Sequence, residues 1–350
     1  MQDQGFLRRR GGAFIMGVVS GLFVAAGIGL GVAQAAQAAQ PNPLAKLIEA
    51  AQKEGSVMWY ESSPDDQFAK VQAAFEKRYP KIKLEQTRLR GGEVGTRIIA
   101  ESQANAPTGD VGTTGLDILI ALDQRGLLHK PNWAELGIPK NLIATPYAVT
   151  GMASTYCIIY NTKLVSEADA PKKWDDLLSP KWKGKIGLWN KSTALAFLQP
   201  AWGEEKTLQY TKKLAEQQPV MFQSTFNVND AVASGEILVA ITNYHTVIPS
   251  QRKGAPVKIV FAEVTPYEAI CTSLPVKGSH PNAAKLFTAW LLSVEGAMAY
   301  ESATFRGNPF IAGTETHKVL TGKKLATFAP DQSKYFADLV VKIEKSLMGR

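Results

Sequence analysis

The chain has 350 residues, with 39 Lys+Arg against 31 Asp+Glu, 45% apolar residues, 20% charged residues and two Cys. At ~100–200 residues per domain, this length holds two domains or one large one. The composition (Gly 29, Pro 19) excludes a disordered chain, a fibrous protein and a disulfide scaffold, and the net charge of +8 favours anionic partners while being too weak to argue for nucleic acid.

Arg8, Arg9 and Arg10 precede an apolar stretch from Ala13 to Ala33, and small residues then cluster through Ala39. A basic region, an apolar region and an A-x-A signature in that order mark residues 1–35 as a signal peptide, cleaved after Ala35 or Ala38. A retained anchor is the alternative, since a span takes ~20 apolar residues. Gly17, Gly21, Gly27, Gly29 and Gly31 make the stretch a poor helix, and Gly11-Gly12-Ala13 is a poor match to twin-arginine export. No other stretch approaches ~18 consecutive apolar residues, so a soluble periplasmic chain is expected.

Helical and extended patterns then alternate. Leu44 to Lys53 reads as a helix closed by Gly55, and Val57 to Tyr60 as a strand. Ser63-Pro64-Asp65-Asp66 gives helix-start chemistry for a helix through Phe75, and Ile82 begins a second strand. Gly91-Gly92-Glu93 opens another helix; Asp110-Val111 ends a strand, followed by Gly112-Thr113-Thr114-Gly115 and a helix to about Arg125. Tyr156 to Tyr160 is a strand. A second alternating segment follows, with strands 186–189, 219–222 and 237–241 and helices from Thr193, over 204–217 and over 227–234. Extended segments 257–261 and 268–275 precede helices near 281–304 and 331–348. This order argues for two α/β units built on mostly parallel strands.

Enzyme constellations are absent. None of the four His pairs with another at i, i+4, and no nucleophile elbow, phosphate loop or dinucleotide fingerprint follows a strand. No enzyme activity and no cofactor are expected. Cys157 and Cys271 each lie mid-strand, where disulfide geometry is restrictive, although an export compartment permits a bond.

In open α/β sheets, ligands bind beyond the carboxyl ends of strands. Those ends carry Ser62 and Ser63, Arg90 and Gly91, Thr113 and Thr114, Lys191, Ser192 and Thr193, Ser224, and Asn243, Tyr244 and His245. Hydroxyls at helix starts suit anions, and Arg offers a planar fork for carboxylate or phosphate. These residues are the candidate ligand-binding set.

Several stretches in this order resemble the periplasmic solute-binding proteins of ATP-binding-cassette importers, in the two-lobed type that includes the bacterial ferric-iron-binding proteins. They are Phe75-Glu76-Lys77-Arg78-Tyr79-Pro80, Gly126-Leu127-Leu128, Ile159-Tyr160-Asn161-Thr162, Trp174 through Ile186, Ser234-Gly235-Glu236 and Pro281-Asn282-Ala283-Ala284-Lys285. The resemblance implies two α/β lobes joined by two crossing strands, with the ligand cleft between them. Lobe 1 would comprise 40–153 plus 269–315, and lobe 2 154–268 plus 316–350, with crossings near Ser154 and Glu268-Ala269. It also implies a monomer that hands its solute to permease subunits and their ATPase, without nucleic acid. Cys157 and Cys271 would then lie apart along the hinge. Ferric-binding members place two adjacent tyrosines where this chain has Tyr244-His245, and the positions matching their other ligands are Pro64 and Gly115, which cannot ligate. The expectation is therefore a small anion (carboxylate, phosphate-like or anion-chelated metal). Ferric iron on Tyr244 and His245 is the alternative, and a periplasmic enzyme is a third reading.

Overall fold

The computed structural model describes residues 44–191 and 193–348. The signal-peptide expectation and the candidate Ser192 lie outside these residues. The first part of the chain forms α1 (Ala45–Glu54), β1 (Ser56–Glu61), α2 (Asp65–Arg78), β2 (Lys83–Arg88), α3 (Glu93–Gln103), β3 (Val111–Gly115), α4 (Leu116–Asp123), β4 (Ile143–Thr145) and the long β5 (Ala148–Asn161). Next come β6 (Ile186–Trp189), α5 (Thr193–Ala196), α6 (Gln199–Trp202), α7 (Glu204–Glu216), β7 (Val220–Phe222), α8 (Thr225–Ser234), β8 (Val239–Asn243), α9 (Tyr244–Arg252) and β9 (Val257–Val260). The chain closes with β10 (Thr265–Ser273), α10 (Pro281–Leu291), α11 (Val294–Thr304), α12 (Glu315–Leu320), β11 (Leu325–Ala326) and α13 (Ser333–Met348).

The strands lie in the order β2-β1-β3-β10-β5-β8-β6-β7, with β11 on β10 and β4 and β9 on β5. β1, β2 and β3 pair in parallel, as do β6, β7 and β8. β5 is antiparallel to β10 through Thr155 and to β8 from Tyr156 onward. β10 is antiparallel to β3 on its other edge. The two long strands therefore serve both halves, and Ser154↔Glu268 and Ala153↔Ala269 are paired where they pass between them. The chain passes a third time through residues 305–314, which no strand carries.

Helices cover both faces of each half, giving four apolar clusters. In the first half Trp59, Phe75, Phe287 and Trp290 pack edge to face, with centroids 4.9 Å apart for Trp59–Phe287 and 5.2 Å for Phe75–Phe287 and Phe75–Trp290. Tyr60, Ile98, Leu119 and Leu122 fill the other face. In the second half Trp174, Leu188, Phe197 and Ile343 fill one face and Ile159, Val232 and Val247 the other. Core residues of the first half fall within 47–152 and 269–311, and those of the second within 156–264 and 319–347.

Several local expectations are corrected. Gly112-Thr113-Thr114-Gly115 is not a loop after β3 but the strand itself. β5 begins at Ala148 rather than Tyr156, and all fourteen of its residues are buried, so no apolar–polar alternation marks it. The segment 281–304 is two helices. Ser293 ends α10 by donating to the Trp290 carbonyl (2.6 Å) and caps α11 by accepting from Gly296 N (3.2 Å). A Cβ at Gly296 would sit 2.0 Å from the Trp290 oxygen, so the corner requires glycine. Ser63 does not cap α2; Pro64 holds that position and Asp65 and Asp66 supply the favourable charge. Cys157 and Cys271 are buried free thiols in different clusters.

Phe287→Ala should destabilise the protein by about 3–5 kcal/mol, since it removes the ring shared by three aromatic neighbours. Urea unfolding of both proteins measures the difference; a loss under about 1 kcal/mol would show the cluster is not close-packed.

Candidate functional site

A cleft of about 340 Å³ opens where β5 and β10 pass between the halves. Its floor is Ser154 and Tyr156 from β5 with Glu268 and Ile270 from β10. The first half contributes Glu61 and Ser62 after β1, Gly91, Thr113 and Thr114, Tyr300 from α11 and Arg306 just past it. The second half contributes Trp189 and Lys191 after β6, Thr225 and Phe226 from α8, and Asn243, His245 and Thr246 at the β8–α9 junction.

Seven of the residues expected from sequence line this cleft: Ser62, Gly91, Thr113, Thr114, Lys191, Asn243 and His245. The two threonine hydroxyls are committed elsewhere. Thr113 accepts from Trp59 Nε1 at 2.8 Å and shares a bond with Thr272 at 3.0 Å, while Thr114 donates to the Gly91 carbonyl at 3.0 Å. Lys191 is exposed on the rim, 5.4 Å from the Trp189 ring centroid.

The others stand elsewhere. Ser63 is buried, its N–H donating to Glu61 Oε2 at 2.7 Å. Arg90 is exposed and off the cleft lining, and its backbone is held by Glu93, whose Oε2 accepts from Arg90 N at 2.6 Å and whose N–H donates to the Arg90 carbonyl at 3.0 Å. Thr193 bonds Tyr156 Oη at 2.7 Å and lines a small side pocket. It opens a helix of four residues, too short to offer an anion much of a helix dipole. Ser224 caps α8 by accepting from Asn227 N at 3.2 Å, so the cleft receives Thr225 and Phe226 instead.

Tyr244 corrects the expectation most. It and His245 are not on a strand; they are the first two residues of α9. Successive helical residues diverge by roughly 100° about the axis. His245 enters the cleft, and Tyr244 packs on Phe261 (5.4 Å between centroids) and lines a separate cavity with Arg252 and Glu315. Burial, with Glu315 and Glu301 nearby, pushes the Tyr244 phenol up to about 12, which disfavours the phenolate a ferric ion would take. The pair Tyr244–His245 does not form one metal site, and no cluster of three His, Cys, Asp or Glu exists among the described residues.

Sequence reasoning missed Arg306, Glu268, Glu61, Tyr156 and Tyr300. Arg306 Nη2 donates to His245 Nε2 at 3.0 Å, which puts the ring proton on Nδ1. Burial and the adjacent guanidinium hold His245 well below the usual histidine range, so the ring is neutral. Arg306 Nε, His245 Nδ1 and Asn243 Oδ1 are buried and unpartnered among the described residues. Glu61 is fixed by Ser63 N and by Gln86 Nε2, and burial raises its carboxyl. Glu268 is half-buried, and desolvation, only partly offset by Arg306 and Lys191, pushes it up to about 7. A charged residue inside the otherwise uncharged segment 268–275 was its one visible signal.

Residues 70–327 match the sequence pattern of a family described as bacterial extracellular solute-binding protein. The chain belongs to this family. It is 27% identical over 225 residues to an uncharacterised protein of Haemophilus influenzae, a match that takes in 59% of this chain and 65% of that relative's length. The fold matches iron-bound HitA from Pseudomonas aeruginosa (TM-score 0.67, 21% identity, 82% of this chain and 99% of that one). It also matches AfuA from Actinobacillus pleuropneumoniae with fructose-6-phosphate bound (0.66, 24%, 84% and 99%) and the Trichodesmium protein IdiA (FutA) with iron and citrate (0.67, 20%, 83% and 99%). These likenesses carry the two-lobed periplasmic binding-protein fold.

Glu268 holds its proton more tightly in the folded protein (about 7) than in an open chain (4.5). Folded protein therefore binds more protons across that window, and its stability falls as pH rises through it, by at most ~1.4 kcal/mol per pH unit. Relative to Glu268→Gln, the wild type should lose stability between pH 5 and pH 8. Identical pH dependence of urea midpoints in the two proteins would rule this out.

Proposed function

We propose that this protein is the periplasmic solute receptor of an ATP-binding-cassette importer and that its solute is a small anion. One observation carries the reading: Arg306 points into the cleft with no salt bridge to any described residue and with a buried Nε–H that nothing accepts. A guanidinium partly withdrawn from water without a direct ion pair is costly, and a carboxylate or phosphate offers the pair of acceptor oxygens it lacks. His245 takes one of its remaining donors and leaves the fork aimed. Lys191 adds positive charge at the rim.

Of the three fold relatives named above, two hold a solute with an anionic group, iron with citrate and a sugar phosphate, and one holds iron; other proteins of this fold are named a GABA receptor and a spermidine/putrescine-binding protein. A ferric reading has less support, because Tyr244 faces away and any metal on His245 Nε2 would have to displace Arg306. Binding without turnover is the expected behaviour. Partners would be the permease subunits and their ATPase, reached after export by the N-terminal segment; among the described residues no helix is long and apolar enough to cross a membrane.

Protein purified without denaturation should release a small anion on unfolding, identified by mass spectrometry. Re-addition at ~100 times Kd should stabilise the apo-protein by ~2.7 kcal/mol. Arg306→Ala should weaken binding by about 2 kcal/mol or more, and Arg90→Ala should change it by less than ~0.5 kcal/mol. Tight ferric binding that survives Arg306→Ala and disappears in Tyr244→Phe would overturn the reading.

A further inference from the structure

Glu268 stands at the crossing, paired through its backbone with Ser154. Its carboxyl receives no hydrogen bond or salt bridge from any described residue. It lines the cleft on one side and, on the other, a cavity of about 60 Å³ walled by Phe197, Phe328, Phe336 and Ile120. The three rings pack closely, with Phe336 4.6 Å from Phe197 and 5.0 Å from Phe328 between centroids.

The charged and titratable groups facing Glu268 are asymmetric. Arg306 and Lys191 act from the cleft side, Asp117 of α4 from the cavity side, and Tyr156 of β5 and Cys271 of its own strand from alongside. Arg306 was the available internal partner, and it is bonded to His245 instead. The floor of the cleft thus presents a carboxyl whose acceptor sites are empty of protein donors. These sites are open to solvent and to a donor carried by the solute. An ammonium fits better than a hydroxyl, because Asp117 adds negative potential behind Glu268. A second anion there would be repelled.

We propose that Glu268 determines specificity by receiving an amine of the solute, so that the cleft selects small zwitterions whose anionic group lies on Arg306. This deepens, and rests on, the reading of the solute as an anion. Binding of the ammonium stabilises the Glu268 carboxylate and so releases a proton at neutral pH.

The test uses the signal-processed protein and two homologous series, the ω-amino acids and the ω-aminoalkylphosphonates of two to six carbons, each against its counterpart without the amine. Isothermal titration at pH 7 should show at least one amine bound about tenfold or more tighter than its counterpart, the size of one charge-assisted hydrogen bond. Glu268→Gln, which keeps the shape, should erase that preference. Titration in two buffers of different ionisation enthalpy should show proton release in the wild type and none in the variant. Counterparts that bind as tightly as their amines, or a preference that survives Glu268→Gln, would overturn the proposal alone. Failure of every member of both series to bind would overturn the anionic reading and this proposal together. The wild-type comparison stands whether or not the variant folds.

Discussion

The antiparallel pairing of β5 with β10 is the constraint on which the rest depends. Two strands each serve both halves, and β10 is buried along its length except at residues 268–270, where Glu268 and Ile270 face the cleft. All fourteen residues of β5 are buried, and the register slips between Ile270 and Cys271 where β10 leaves one half for the other. Gly151 sits under the Thr272 hydroxyl, 3.0 Å from where a Cβ would be, so a side chain there would crowd that hydroxyl. Polar side chains at the crossing have few strand partners, and whatever they lack must come from the cleft. That is why Ser154, Tyr156 and Glu268 form its floor, and why any motion of the halves bends these same strands.

The second consequence is electrostatic. Two carboxyls and two cations share a space of a few hundred cubic ångströms without forming one salt bridge among the described residues. Glu61 is tied back by Ser63 and Gln86, and Arg306 is held across the cleft by His245. His245 stays neutral because the guanidinium beside it and the loss of solvent both oppose a proton. Neutral His245 accepts from Arg306 rather than repelling it, so the fork is oriented before a solute arrives. An aimed but unsatisfied donor lowers the ordering cost of binding, because the side-chain entropy is already lost. The neighbouring corner adds rigidity: Phe305 sits at φ +61°, with Arg252 of α9 4.9 Å from its ring centroid. A non-glycine residue holds such a backbone only where its surroundings impose it.

Much of this architecture was legible in the residues. Helix stops such as Gly55, the alternation of elements and the Trp174–Ile186 run pointed to an α/β fold, and β5 pairs with β10 through Ser154 and Glu268. Strand ends led to Ser62, Gly91, Lys191, Asn243 and His245. The rule failed where position in the chain and position in space part company. Arg306 follows a helix, not a strand, and is carried to the cleft by the third passage between halves, where Asn308 Nδ2 holds the Thr150 and Gly151 carbonyls of β5. Glu268 lies within a strand rather than beyond one. Arg90 satisfied every local criterion and is nevertheless exposed and off the cleft lining, although its neighbours Leu89 and Gly91 line it.

The junction of β8 and α9 shows how finely the chemistry depends on where one element becomes another. On a strand, neighbours at 244 and 245 would face opposite sides of the sheet; in a helix of 3.6 residues per turn they diverge by roughly a quarter turn. Here the helix starts at Tyr244, and His245 takes the inward position beside Arg306 while the phenol closes over Phe261 behind it. A start displaced by one residue would exchange a neutral nitrogen acceptor for a phenol at the same point in the cleft. Asn229 Nδ2 to Thr246 Oγ1 (2.9 Å) and Thr246 Oγ1 to the Asn243 carbonyl (2.8 Å) pin that start. These buried hydrogen bonds, made by residues with no charge, therefore decide whether the β8 strand end presents an acceptor that orients a guanidinium or an oxygen suited to a hard metal ion.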